Sequence, residues 1–234
     1  MSWIGPRLAA VVGRGYDAAW LRSMMVEVND GIIVTAGVVE GLAGAGASTS
    51  TILLAGFSAI VGGGIALGGA KYGEEAAELD ARLAILEEEQ RQLSLSPEEE
   101  MAELVEAYER RGLPSRLAHE VAQVLSRRDA LAAHLEAEHG IVLGAPRPSP
   151  VASGVAAGLA FGLGSLVPML SVALAPNALR VSVIFLAVIV SLAVTSLVLS
   201  ATGGTKVWRT LVRSVSIGML AMLLTLASGT LFHS

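Results

Sequence analysis

Cysteine is absent from the 234 residues, which removes disulfide frameworks, thiolate metal sites and cysteine nucleophiles together. Lysine is nearly absent, two residues against 14 arginines, a bias of GC-rich genomes that points to a bacterial source. Charge is scarce at 16% and aromatics scarcer at 4%, while 53% of residues are hydrophobic. With a mean hydropathy of +0.63, this is too apolar for one soluble domain of its size, and the bilayer is the solvent it calls for. Acids are missing altogether after Pro146.

What is present is a series of apolar runs. Residues 28–50 open on Val28-Asn29-Asp30-Gly31 and end on Ser48-Thr49-Ser50, long enough at about 1.5 Å per residue to cross a hydrocarbon core of about 30 Å. This run carries two carboxylates. Asp30 stands at its start, where a helix N-terminus would favour it, and Glu40 near its middle, where an acid faces protein, water or an ion rather than lipid. Residues 51–70 follow without a charge; Gly64 and Gly68 form a small-xxx-small pair that lets helix backbones approach, so this helix is read as buried among the others. Three more runs lie at 151–175, interrupted by Pro168, at 181–201 and at 214–232. The predicted fold is an all-α membrane protein with five transmembrane helices and a helical bundle inserted between the second and third. Residues 1–28, with Trp3, Arg7, Arg14, Trp20 and Arg22, read as an N-terminal interfacial segment. The membrane parts are then 29–72 and 147–234, and the insert is 73–146.

Charge placement orients this plan. The insert holds 17 of the 21 acids and 7 of the 16 basic residues, a net −10 against +5 for the rest. Arg7, Arg14 and Arg22 precede the first span, Lys71 borders the insert, and Lys206, Arg209 and Arg213 lie between spans four and five. The remaining connections hold only Arg180. The N-terminus and insert therefore face the cytoplasm and the C-terminus lies outside, in a bacterial plasma membrane.

Within the insert, Leu79, Leu83, Leu86 and Leu93 recur on one helical face over residues 74–93. Ser96-Pro97-Glu98-Glu99 supplies an N-cap, a first-turn proline and a capping-box glutamate, and Arg110-Arg111-Gly112 stops the helix that follows. Leu117, Val121, Val124 and Leu125 mark another helix, which Leu131 and Leu135 continue or follow with a fourth. Pro146, Pro148 and Pro150 make a stiff linker back to the membrane. Stripes this narrow suit a small bundle completed by a second copy. Glu100 and Glu103 neighbour each other on one flank, Glu89 takes the equivalent flank of the preceding helix, and His134 and Glu138 share a side with Leu131 and Leu135. Carboxylates and an imidazole without thiolates suit Fe(II) or Mn(II), with Zn(II) also compatible by ligand type.

Enzyme signatures are lacking. His119-Glu120 is followed by Gln123 where a zinc-protease helix needs histidine, and no phosphate-binding loop or organic-cofactor motif occurs. Nucleic acid is disfavoured as a partner by the acidity of the insert.

Asn29-Asp30-Gly31-Ile32-Ile33 opening the first span, the Gly/Ala-rich second span, and an insert with Pro97-x-x-Glu100-x-x-Glu103-Leu104, Tyr108-x-x-Arg111-Gly112-Leu113 and Asp129-Ala130-Leu131 resemble the vacuolar iron transporter family from about Trp20 onward. That resemblance implies five membrane helices per subunit, a homodimer, and a cytoplasmic metal-binding domain. It further implies export of Fe(II) or Mn(II) in exchange for protons. By position, Asp30 resembles the membrane-pathway acid, and Glu89, Glu100, Glu103 and Glu138 resemble metal ligands; Gln92 stands where another glutamate is usual, and His134 near positions where methionine serves. The second span departs from the family's Ser-Met-x-x-Gly-Glu-Tyr, reading Ala66-Leu67-Gly68-Gly69-Ala70-Lys71-Tyr72. Thioether and carboxylate are both gone, Lys71 reverses the charge and is read as a tethered cation for Asp30, and Glu40 adds an acid. The sequence thus supports a divalent metal transporter using Asp30, Glu40 and Lys71, with a non-transporting membrane protein whose acidic domain binds metal or a partner as the alternative.

Overall fold

The computed structural model describes residues 18–145 and 147–233. The expectations placed on Trp3, Arg7, Arg14 and Pro146 lie outside the described residues. Within them the chain is helical throughout: α1 (Ala18–Gly44), α2 (Thr49–Leu95), α3 (Pro97–Arg110), α4 (Ser115–His139), α5 (Pro150–Leu174), a 3-10 turn (Asn177–Leu179), α6 (Arg180–Gly203) and α7 (Val207–His233). Two compact units divide at Gly73/Glu74 and Ser149/Pro150.

In the first unit, four helices are long and apolar enough to cross a membrane: α2, α5, α6 with its preceding turn, and α7. Helix α1 matches them in length at 27 residues but carries Arg22, Glu27, Asp30 and Glu40. It is nonetheless the central helix, packed against α5, α6 and α7, with Ile32, Ala36, Val39 and Glu40 all at 0–1% exposure. Because α1 is already helical at Ala18, Asp30 is an interior residue and caps nothing. Trp20, read as interfacial, packs on Met24, Ala157 and Ala160, and the Arg22 guanidinium donates to the carbonyl of Thr202 at 2.7 Å.

Between helices in lipid the hydrophobic effect supplies little attraction, so close backbone approach and interhelical hydrogen bonds hold the unit. Gly31 and Gly164 show the first: a Cβ on Gly31 would overlap the Phe161 carbonyl, and one on Gly164 the Val28 carbonyl. The second is seen where Ser165 Oγ donates to the Gly31 carbonyl at 3.2 Å, and Thr195 Oγ1 meets Asn29 Oδ1 at 2.5 Å. Pro168 sits inside α5 without ending it. The Gly64/Gly68 expectation holds in part. Both pack against Gly158 and Gly154 of α5, but Phe57, Val61 and Ile65 of α2 are exposed, so this helix is not surrounded.

Two further boundaries differ from the sequence reading. The helices expected at 51–70 and 74–93 are one helix of 47 residues, which takes Gly73 in its interior although glycine is a poor helix former. The capping box at Ser96 does not form: its side chain makes no cap bond, although Pro97 takes the first turn as expected.

The second unit is built on α3 and α4, whose buried Leu104, Ala122 and Ala133 are flanked by Met101, Val105, Tyr108 and Leu125. The expected ambiguity within 115–139 resolves into two helical segments of α4 that meet at Asp129 (φ −164, ψ 96), whose carboxylate accepts the Ala132 N–H at 3.0 Å and so caps the second segment. Gly112 ends α3's connection at φ +94, and Arg111 ties the corner by donating to the Ala137 carbonyl at 2.7 Å.

Candidate metal centre and membrane acids

Three helices of the second unit converge on a buried set of ligand-type side chains. Glu89 comes from α2, Glu100 from the first turn of α3, and His134 from α4 beyond its kink. They are 4%, 4% and 1% exposed, burial that carboxylates rarely show unless paired or metal-bound. One ligand atom from each lies within 4.8 Å of the others. That is the spacing a single ion needs when its bonds to oxygen or nitrogen are about 2.0–2.5 Å. His134 Nδ1 stands 3.1 Å from Glu138, 3.5 Å from Glu100 and 3.8 Å from Glu89.

The hydrogen-bond inventory points the same way. Oε2 of Glu89 and Oε2 of Glu100 are buried without a hydrogen-bond partner, an arrangement that costs energy unless a cation or proton arrives. Burial pushes the Glu100 carboxyl above its ordinary range; Glu103 reinforces the shift, His134 opposes it, and Glu89 and Glu138 add to it. By contrast Glu78 and Glu88 are held below the ordinary range by hydrogen bonds from Arg82, Arg147 and Arg91. Those two acids are occupied by arginines, and Glu88 also accepts from Gln92 at 2.9 Å.

A second group shares Glu89: its Oε1 lies 2.9 Å from His139 Nε2, and Glu89, Glu138 and His139 again fall within 4.8 Å of one another. Sequence reasoning missed His139. Its only signal was an imidazole in the last helical turn beside Glu138, five residues after His134, a spacing that an ideal helix does not put on one face. Glu103, by contrast, is exposed and raises the Glu100 carboxyl through its charge.

In the membrane unit the three candidates are separate. Asp30 and Glu40 are about 15 Å apart along α1. Glu40 is wholly buried, and both its carboxylate oxygens lack a hydrogen-bond partner. Gly68 lies against Gly154 and Gly64 against Gly158, a register that carries Lys71 to the level of Val151, whereas Gly31 beside Asp30 meets Phe161 and Ser165. That difference is about 11 residues of rise, roughly 16 Å, beyond one lysine side chain. The register thus sets Lys71 and Asp30 at different levels of the membrane unit.

Comparison with known proteins gives the context. A vacuolar iron transporter of Acanthamoeba castellanii is 30% identical over 215 residues, 92% of this chain and 79% of that protein. Vacuolar iron transporter 1 of Arabidopsis thaliana is 29% identical over 163 residues, covering 68% of this chain and 64% of its own. A vacuolar iron transporter of Toxoplasma gondii is 29% identical over 143 residues, 60% of this chain and 47% of that one. The model of the VIT family matches residues 21–230, nearly all of the described chain, and this protein accordingly belongs to the VIT family.

Proposed function

We propose that this integral membrane protein is a transporter that captures Fe(II) or Mn(II) at the Glu89–Glu100–His134 cluster and passes it across the bilayer in exchange for protons. The observation that carries the reading is that cluster: three ligand-type groups from three helices, buried, within 4.8 Å of one another, in a chain of apolar helices. Membership of a family whose relatives are named transporters sets enzymatic activity aside and supports a divalent metal as substrate.

In this reading α1 is the fifth membrane span, and its acids are sheltered by α5, α6 and α7. Asp30 and Glu40 serve as successive stations, one taking metal while the other takes protons. The basic residues around the insert and between α6 and α7 support placing the acidic unit in the cytoplasm, and export as the direction. A plasma-membrane location rests on the arginine-rich composition, although the relatives carry vacuolar names. Leu79 and Leu83, half exposed on α2, support a homodimer whose second copy covers them.

Proteoliposomes loaded with a pH dye and exposed to Fe(II), Mn(II) or Zn(II) test this. The expected result is metal flux with a proton current of opposite direction. Tight metal binding without flux would favour the non-transporting alternative, which the thioether missing at Leu67 and the carboxylate missing at Lys71 support.

A further inference from the structure

Arg180 opens α6 and is nine-tenths buried. Its terminal nitrogen donates to Thr49 Oγ1 at 2.6 Å and to Asn177 Oδ1, and its Nε has no partner. An arginine cannot shed its charge, so a full positive charge is held here by two neutral side chains. Glu40 presents the opposite deficit, two unpartnered carboxylate oxygens at 0% exposure.

The α1/α6 register brings the two to one end of the membrane unit. Arg22 lies against Thr202 and Asn29 against Thr195, so the helices run antiparallel. Counting on at the same pace, Ala36 falls opposite Val188, Glu40 opposite Ile184 and Gly44 opposite Arg180. Ile184, Val188 and Ala36 share one buried cluster, which agrees with that count. Arg180 and Ile184 are four residues apart and both buried, so the arginine heads the stripe of α6 that faces α1. Glu40 and Arg180 are thus one helical turn apart in level, about 6 Å, a distance a change of arginine rotamer spans. The other acids of α1 within the described residues, Glu27 and Asp30, precede Glu40 by ten residues or more, about 15 Å or further along the helix.

Resting on the transport reading above, we infer that Arg180 is a tethered counter-cation for Glu40, a positioning residue that competes with the transported cation for that carboxylate. In one position the guanidinium rests on Thr49 and Asn177 and leaves both Glu40 oxygens unpartnered, able to take a divalent cation. In the other it exchanges those neutral acceptors for a charge-assisted contact with Glu40, the stronger kind of hydrogen bond, and closes the site. Arg180 thereby sets how much cation is needed to load Glu40, and keeps a bare carboxylate from standing in the bilayer between cycles.

The test is a double-mutant cycle on the full-length protein, with Arg180→Gln, Glu40→Gln and the double variant. Thermal stability in detergent and the KM for Mn(II) flux in proteoliposomes are read together. Removing the competitor should lower KM roughly tenfold. It should also destabilise the parent more than it destabilises Glu40→Gln. Equal stability losses in the two backgrounds, or a KM unchanged by Arg180→Gln, would show that the arginine serves only Thr49 and Asn177 and would overturn the inference. Absence of flux in the parent would refute the transport reading alone, and the stability cycle would still decide the pair. Should Arg180→Gln not fold, Arg180→Lys takes its place, with non-zero coupling to Glu40 expected and strict additivity overturning the proposal.

Discussion

Glu89 and His139, fifty residues apart in the chain, meet at 2.9 Å between Oε1 and Nε2. The same carboxylate faces His134 on its other oxygen, at 3.8 Å, so Glu89 stands between two imidazoles. A group in that position belongs to both candidate ligand sets, and removing it should cost more than removing any other.

Calorimetric titration of the full-length protein in detergent with Mn(II) should therefore rank the variants. Glu89→Gln should weaken binding most, by a hundredfold or so if both sets are occupied, and His139→Gln by roughly tenfold. Glu100→Ala should weaken it and Glu103→Ala should leave it nearly unchanged, because Glu103 is exposed. Equal losses at positions 100 and 103 would restore the ligand set inferred from spacing.

The raised Glu100 carboxyl makes the acidic unit sensitive to pH in a direction that can be worked out. A carboxyl protonated more readily in the folded than in the unfolded state favours folding below its ordinary value of 4.5. That contribution is lost as pH rises through the folded value. The metal-free protein should therefore melt at lower temperature as pH climbs above that range, and Glu100→Gln should flatten the trend and raise the melting temperature. Metal reverses the sign, since it binds the ionised form; affinity should fall as protons compete at acid pH. Scanning calorimetry with and without Mn(II) checks both halves.

Packing in the membrane unit makes a sharper demand on glycine. Gly31→Ala forces a methyl group into the Phe161 carbonyl, and the shift of α1 from α5 should cost about 1–3 kcal/mol or more. Gly62→Ala, at a position with nothing within 4 Å, should be neutral or slightly stabilising, as alanine is the better helix former. Melting of the two variants in the same detergent gives the comparison.

Topology can be read with single cysteines, because the chain has none of its own. Ser96→Cys and Thr205→Cys should react with an impermeant maleimide from one side of the membrane and Ala178→Cys from the other. Ser96 and Ala178 labelling from the same side would remove α5 from the set of spans, and Ser96 labelling from outside would reverse the orientation.

Much of this architecture was legible in one dimension. Mean hydropathy and uncharged runs of about 20 residues specify membrane helices because lipid cannot satisfy a backbone, so every span must close its own hydrogen bonds. Acid segregation marked the second unit, and Pro97 and Gly112 punctuated it, since these residues constrain the backbone within one turn of themselves. The chemical type of the metal centre was equally local: a chain without cysteine, with most of its acids in one segment, offers such an ion carboxylates and imidazoles there. What the sequence could not decide was membership. Glu100 and Glu103 are equivalent by spacing, yet one is buried against His134 and the other is exposed, because the angle at which α3 meets α2 and α4 selects between neighbouring turns. His139 entered for the same reason: its meeting with Glu89 depends on the register of two helices far apart in the chain. Helix periodicity determines which residues share a face, but the partner of that face is set by close backbone contacts such as Gly31 on Phe161, and these exist only once the helices are packed.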